Sequence, residues 1–388
     1  MRIRHPLTAL ALGLSLALPL AASAQQPAAS YASVAQHYAK LVHASYADAL
    51  AAAKDMQTAI NAFIDAPSAD TLAAARQSWL AAREFYGQTE AFRFYGGPID
   101  DDKGPEGQLN AWPLDESYVD YVQGKPGSGF VNNPKFKISK ASIARMNERG
   151  GEENVSSGWH AIEFLLWGQD MNDNGPGQRS FEDYVDGKAP HADRRRQYLR
   201  VVTELLIDDL SAMTRAWAPG AKNYGARFAK GGKESVRKII VGLGSLSRGE
   251  MAGERMEVPL ASQDQEDEHS CFSDNTHRDM VSNALGIQNV WLGQYKRRDG
   301  SQLAGPGVRD LVAAHNAALA EKTTAQISAS LKATEAIQAP FDREIIGGAD
   351  APGRQRVQAA IQSLTEQSKL LVDAADAIGI KKLTLVQP

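Results

Sequence analysis

The residues of this chain best placed to do chemistry are His160 and Glu163, in the sequence GWHAIE (158–163). On a helix, residues three apart share a face, so an imidazole and a carboxylate would lie side by side as half of a metal site. The apolar run 164–167 follows directly, so we expect the pair to face an interior cleft, where a carboxylate needs a metal, an arginine or several donors to stay charged. The alternative is that the two side chains only hydrogen-bond each other or the backbone in a helical core.

A second candidate region is AREFYGQTEAFRFY (82–95). Helical spacing places Arg83, Glu90 and Phe94 on one face. Glu90 is therefore a candidate for a further metal-facing carboxylate, and Arg83 can balance its charge or hold a carboxylate-bearing ligand through two hydrogen bonds. The alternative is an ion-pair network on a solvated helix face, against which the aromatic neighbours argue.

The segment EDEHSCFSDNTHRD (266–279) supplies three more candidates, His269, Asp274 and His277. If a helix begins at Ser273, Asp274 and His277 form a second pair three residues apart, whereas the alternative is that Asp274 caps the helix and the acidic residues are solvated. The single cysteine, Cys271, lies beside an aromatic residue and is expected to be a small buried hydrophobic residue rather than a metal ligand. We predict that the cofactor is a divalent metal or iron, and that His160 and Glu163 are its ligands. The other candidates, Arg83, Glu90, His269, Asp274 and His277, are predicted to line the same binding site.

The elements that position these residues are predicted to be helical throughout. Apolar residues recur at three- and four-residue steps in each long segment, which indicates an all-α fold. We predict a first helical bundle over residues 25–220 and a second over 221–388, with a loop-rich insertion at 95–154. The two halves share a layout, a loop followed by a helix that ends in Trp-Gly or Trp-Leu-Gly, which suggests a pseudo-repeat. We expect the candidate residues to meet at the junction of the bundles.

The N-terminus has a basic start, an apolar run and the sequence Ala22-Ser-Ala24, which predict a secretory signal peptide over residues 1–24. We therefore expect an exported, periplasmic protein without a transmembrane anchor. The formal net charge is −4, and it becomes more negative once the two N-terminal arginines are removed, so nucleic acid is excluded as a partner. One cysteine rules out an intrachain disulfide.

The GxHxxE motif, together with the blocks 82–100, 104–122, 253–260 and 266–279, resembles the imelysin family, in particular its members similar to iron-regulated protein A. The resemblance implies two helical bundles related by a pseudo-repeat, with the motif near their junction. It also implies iron uptake or metal binding, with a metal ion or a small iron-containing ligand and an envelope iron-uptake component as partners. The alternative is a metallopeptidase with an atypical HxxE site. The chain lacks HExxH, and because Phe164 follows Glu163 it also lacks the inverted HxxEH, so the peptidase signature is missing.

Overall fold

The structure is a computed structural model that describes residue 1, residues 29–172 and residues 174–386. The predicted signal peptide over residues 1–24 lies, apart from its first residue, outside this described part. Among the described residues, no helix combines the length and the apolar character needed to cross a membrane.

The prediction of an all-α protein is confirmed, since the strands of the described part are limited to a short antiparallel hairpin. The α-helices are Tyr31–Asp65 (α1), Ala69–Tyr86 (α2), Glu106–Asn110 (α3), Glu116–Val119 (α4), Gly129–Asn132 (α5), Lys140–Met146 (α6), Gly158–Trp167 (α7), Ala192–Trp217 (α8), Tyr224–Phe228 (α9), Lys233–Ser245 (α10), Val258–Ser262 (α11), Thr276–Leu292 (α12), Val308–Ala313 (α13), Ala317–Glu335 (α14), Asp342–Ile345 (α15) and Pro352–Ala377 (α16). The hairpin strands are Gln294–Lys296 (β1) and Gln302–Ala304 (β2).

The long helices of the first half start where side chains cap them. Ser30 caps α1 and Ser68 caps α2, each in a capping box, so the donors of the first turn are satisfied at both starts. Helix α1 packs against α2 and α8, and the short α7 packs against α2, α3 and α8. All ten residues of α7 are buried, so the helix with the GxHxxE residues lies inside the protein.

In the second half, α16 packs against α14, α10 and a π-helix, Leu246–Glu257, that continues from α10. Helix α12 contacts α14 and also reaches back to α2 and to the 3₁₀ helix Gly87–Phe92. Two glycines permit this crossing. A Cβ on Gly286 would lie 2.4 Å from the carbonyl oxygen of Gln88, and one on Gly87 would lie 2.7 Å from the Cβ of Ser282. The close approach brings α12 beside the residues around 83–90.

One expectation about local structure is wrong here: α2 ends at Tyr86 and the chain tightens into a 3₁₀ helix, so Arg83 and Glu90 do not lie on one regular helix face. The polar segment 246–257 forms the π-helix. The insertion 95–154 holds four short helices, α3 to α6, which tie much of its backbone into hydrogen bonds. The boundary near residue 220 and the pseudo-repeat stay predictions.

Candidate functional site

The first glycine of the motif sets the start of α7. Gly158 has a φ of +82°, and a Cβ there would lie 2.4 Å from the carbonyl oxygen of Leu109. Only glycine combines this backbone conformation with so close an approach. The Ser157 hydroxyl donates to the carbonyl of Gln108 at 2.9 Å, which also ties the start of α7 to α3. Helix α3 therefore lies against the turn that carries the imidazole.

His160 and Glu163 meet as their spacing predicts. The Nδ1 atom of His160 lies 2.8 Å from Oε2 of Glu163, and both side chains are almost fully buried. The other carboxylate oxygen of Glu163 accepts hydrogen bonds from the backbone N–H of Ser273 at 2.9 Å and from its hydroxyl at 2.6 Å. The 266–279 segment thus reaches the motif through Ser273, a residue that sequence reasoning used only as a helix start.

The protonation of the pair follows from its burial. Burial raises the pKa of Glu163 to about 8, although the donors of Ser273 oppose that rise. Burial, with the Arg83 guanidinium nearby, holds the pKa of His160 well below its usual value, so the imidazole is neutral. Once the proton of Glu163 leaves, the carboxylate accepts from Nδ1–H of His160, and Nε2 then carries the lone pair.

His269 forms a second imidazole–carboxylate unit beside the first. Its Nδ1 lies 2.7 Å from Oδ2 of Asp279, and its ring centroid is 4.7 Å from that of His160 at a 74° interplanar angle. The edge of the Trp112 ring packs on the other side, with centroids 5.0 Å apart. Burial and the charge of Arg255 hold the pKa of His269 well below its usual value, so this imidazole is also neutral.

Arg83 fixes the orientation of the second unit. Its Nη2 and Nε donate to Oδ1 of Asp279 at 2.9 and 3.2 Å, and its Nη1 donates to Oδ1 of Asn110 at 2.8 Å. Because the oxygen of Asn110 faces the guanidinium, its NH₂ group faces Nε2 of His269, at 3.3 Å. Nε2 therefore accepts, and Nδ1–H of His269 donates to Asp279.

The carboxylate of Asp279 is held ionised by these donors. Burial alone would raise its pKa, but Arg83 and His269 hold the pKa well below its usual range. The hydroxyl of Ser270 and the amide of Asn275 donate to the same carboxylate. Asp279 and Asn110 were not among the predicted site residues, and their signal was their place in the blocks 266–279 and 104–122.

Glu90 lies in an adjoining buried ion network. Its Oε2 accepts from Nη1 of Arg93 at 2.6 Å and from Nη2 of Arg255 at 2.8 Å. Burial would raise the pKa of Glu90, but the two guanidinium groups lower it to about 2. Arg255 lies on the π-helix and also donates to the side-chain oxygen of Asn283 on α12 at 2.6 Å. The alternative of a solvated surface network for Glu90 is wrong, because the carboxylate is buried.

The remaining candidates lie apart from the two imidazoles. Helix α12 begins at Thr276, not at Ser273, and Asp274 has a φ of +56°, so the predicted side-chain pair of Asp274 and His277 does not form. His277 instead contacts the backbone oxygen of Asp274 at 3.0 Å, and both residues line a cavity of about 540 Å³. Cys271 is buried, and burial raises the pKa of its thiol well above its usual value, as expected for a hydrophobic position.

The arrangement suits a metal ion at the imidazoles. A metal-binding histidine commonly donates its other ring N–H to a carboxylate, which fixes the tautomer and makes the ligand more basic. His269 shows this arrangement with Asp279, and His160 shows it with Glu163 once that carboxyl group is ionised. The Nε2 atom of His160 is buried and has no hydrogen-bond partner among the described residues, which is rare for a polar atom in a protein interior.

The chain is similar to known proteins over most of its length. The imelysin family model matches residues 42–371. The chain is 26% identical over 339 residues to iron-regulated protein A of Synechococcus elongatus, covering 84% of this chain and 81% of that protein. A crystal structure assigned to an iron-regulated protein A precursor of Parabacteroides distasonis shows the same fold, with a TM-score of 0.69, 18% identity, and coverage of 89% of this chain and 94% of that one. Because the family match spans most of its length, the chain belongs to the imelysin family.

Proposed function

We propose that this imelysin-family protein binds a transition-metal ion through Nε2 of His160 and serves iron uptake in the periplasm, without acting as a peptidase. The observation that carries the proposal is the buried, unpartnered Nε2 of His160 among the described residues, combined with the Glu163 carboxylate on the opposite ring nitrogen. A neutral imidazole whose Nδ1–H is held by a carboxylate presents its Nε2 lone pair to a metal.

The second ligand in this proposal is His269. Its Nε2 accepts only a long contact of 3.3 Å from Asn110, so a metal displaces a weak hydrogen bond there. Both imidazoles are neutral because burial lowers their pKa values, and below about pH 8, where Glu163 is protonated, binding at His160 releases one proton from the His160–Glu163 pair. Imidazole ligands suit iron, zinc and copper, and the centroids of the two rings lie only 4.7 Å apart.

Iron is the proposed ion because of the family relatives, one of which is named for its regulation by iron. The predicted signal peptide supports export, and a site buried between α7, α12 and the loop before α12 suits a carrier that must open to load and release its ion or a small iron-containing ligand. An iron-uptake component of the cell envelope is the proposed recipient.

The peptidase alternative requires a carboxylate that is available to take a proton from a metal-bound water. The three carboxylates near the imidazoles are already engaged. Glu163 holds His160 and Ser273, Asp279 accepts from Arg83 and His269, and Glu90 accepts from two arginines. This geometry supports binding over hydrolysis.

The test compares His160→Ala with His315→Ala, a control that removes an exposed histidine from α13's C-terminal turn. Anaerobic calorimetric titrations with Fe²⁺ and Zn²⁺ on the mature protein should show one site that His160→Ala loses and His315→Ala keeps. The same preparations are incubated with an unfolded protein substrate. Unchanged affinity in His160→Ala refutes the metal site, and metal-dependent cleavage by the unaltered protein refutes the choice of binding over proteolysis.

A further inference from the structure

The loop before α12 also contributes to a group of buried acidic side chains that are not part of the two imidazole units. Carboxylate oxygens of Asp170, Asp274 and Asp342 lie within 4.8 Å of one another, and all three residues are buried. They come from three separate segments: the turn after α7, the loop before α12, and the first turn of α15. We call these three residues, together with Glu268, the acidic cluster.

Glu268 is the observation that points to a ligand. Its side chain is 1% exposed, and neither carboxylate oxygen has a donor of ordinary hydrogen-bond geometry among the described residues. It faces the cluster, since its carboxyl group contacts that of Asp342 and also the hydroxyl of Thr276, and the carboxyl group of Asp274 lies nearby. Both carboxylate oxygens of Asp342 likewise lack a donor among the described residues.

No lysine or arginine of the described part forms an ion pair with Glu268, Asp274 or Asp342. Buried charges in proteins are paired or coordinate a metal, since an isolated ionised carboxylate is strongly unfavourable in a low-dielectric interior. The buried network around Arg83 and Glu90 shows that this chain supplies arginines where it buries carboxylates for structure. The acidic cluster departs from that pattern.

The sequence of the first segment narrows the kind of cation. Asp170-x-Asn172-x-Asn174-Gly175 matches D-x-[DN]-x-[DN]-G, the first half of a calcium-binding loop, in which alternate side chains supply oxygen ligands and the glycine permits a sharp turn. The acidic residue that normally ends such a loop is absent, because Phe181 occupies its position. Buried carboxylates from the other two segments, those of Asp274 and Asp342, are available to supply the acidic ligand that the loop itself lacks.

We propose that the acidic cluster is a calcium site. The three oxygens lie no more than 4.8 Å apart, so a common centre lies within about 2.8 Å of each, which leaves room for Ca–O bonds of ~2.3–2.6 Å. Only oxygen ligands are present, which favours a hard cation over the transition metals suited to His160. The site is separate from the proposed metal site and does not depend on that proposal.

A bound calcium ion would join the turn after α7, the loop before α12, and α15. The same loop carries Ser273, which holds Glu163, and His269, which forms the second imidazole unit. A calcium ion would therefore fix the loop in which the immediate neighbours of Glu268 and Asp274, His269 and Ser273, contact the imidazole units.

The test titrates Ca²⁺ and Mg²⁺ into the mature protein after treatment with a chelator, by calorimetry. We expect one Ca²⁺ per chain, bound at least about tenfold more tightly than Mg²⁺, because Mg²⁺ loses its water ligands reluctantly and requires near-ideal octahedral geometry. Asp342→Asn should weaken Ca²⁺ binding at least tenfold, whereas Asp350→Asn, the same change at an exposed position shortly after α15, should not. His160→Ala should bind Ca²⁺ like the unaltered protein, so failure of the transition-metal site leaves this result intact.

Thermal unfolding gives the sharper contrast. In chelator, Asp342→Asn should unfold at a higher temperature than the unaltered protein, because it relieves repulsion, and it should lose the stabilisation by Ca²⁺. Asp274→Asn is a second variant whose backbone is retained, since asparagine tolerates a φ of +56°. No Ca²⁺ binding to the unaltered protein, tighter binding of Mg²⁺, or undiminished Ca²⁺ binding in both variants would each overturn the proposal.

Discussion

Replacing Glu163 by glutamine tests whether this carboxylate prepares His160 for a metal. In the structure, Oε1 of Glu163 accepts from both donors of Ser273, and Oε2 contacts Nδ1 of His160. The backbone N–H of Ser273 can only donate, so the glutamine oxygen must take the Oε1 position and its NH₂ group must face the imidazole. Nδ1 of His160 then has to accept, which places the ring proton on Nε2. That is the nitrogen we propose as the ligand.

The size of the effect follows from this reversal. Loss of an outer partner of a metal ligand typically weakens affinity ~10–100-fold, or about 1.4–2.8 kcal/mol. Because Glu163→Gln also stabilises the wrong tautomer of His160, we expect the upper end, about 100-fold. The protein should stay folded, since the side chain keeps its shape and its bonds to Ser273.

The assay is a Zn²⁺ titration at pH 8, with ¹⁵N-labelled histidine followed by NMR before metal is added. Glu163→Gln should show the hydrogen of His160 on Nε2, whereas the unaltered protein above pH 8 should show it on Nδ1. Glu321→Gln, the same change at an exposed position on α14, serves as the control. An affinity of Glu163→Gln within about threefold of the unaltered protein, with its tautomer reversed, would refute the reasoning.

Three further predictions use other parts of the structure. Because the pKa of Glu163 is raised to about 8, metal binding below that pH must release the proton of Glu163. The metal affinity should therefore fall about tenfold per pH unit below pH 8 and level off above it. Calorimetry from pH 6 to 9 would contradict this if the affinity changed slope near about 6.5, the ordinary pKa of histidine. Gly158→Ala should lower the free energy of unfolding by about 3 kcal/mol, and Gly124→Ala by only about 1 kcal/mol. Both glycines have φ near +80°, but only at Gly158 would a Cβ clash with a backbone oxygen. Equal losses of stability in urea unfolding would disprove the steric argument. The pKa of Glu90 is lowered from 4.5 to about 2, so above pH 4.5 this residue contributes up to about 3 kcal/mol to the free energy of unfolding. That contribution is lost as the pH falls towards 2. In urea titrations, Glu90→Gln should therefore be less stable than the unaltered protein at pH 7 and differ little from it near pH 2.

The fold class and the central pair could be predicted from the sequence because both depend on local spacing. The three- and four-residue steps of the apolar residues predicted helices throughout, and the three-residue step predicted the contact of His160 with Glu163.

The rest of the site could not be predicted from the spacing of residues along the chain, because its contacts join distant segments. Asn110 and Asp279 complete the second imidazole unit from positions far apart in the chain, and Arg255 reaches Glu90 from a π-helix that no apolar period predicts. The pair expected from Asp274 and His277 did not form for a local reason: Asp274 has a left-handed backbone and lies two residues before the helix begins at Thr276.

The loop before α12 connects the two proposed sites, and its side chains divide between them. Ser273 and His269 bond towards the motif helix and α12, whereas Asp274 and Glu268, their immediate neighbours, face the acidic cluster. Neighbouring residues on one loop cannot be repositioned independently, because they share a peptide unit. A cation that draws Asp274 and Glu268 together therefore also fixes Ser273, which donates to Glu163, and His269, the second imidazole. Calcium at the acidic cluster should then raise the affinity of the imidazoles for a transition metal. By linkage, the transition metal should raise the affinity for calcium by the same factor.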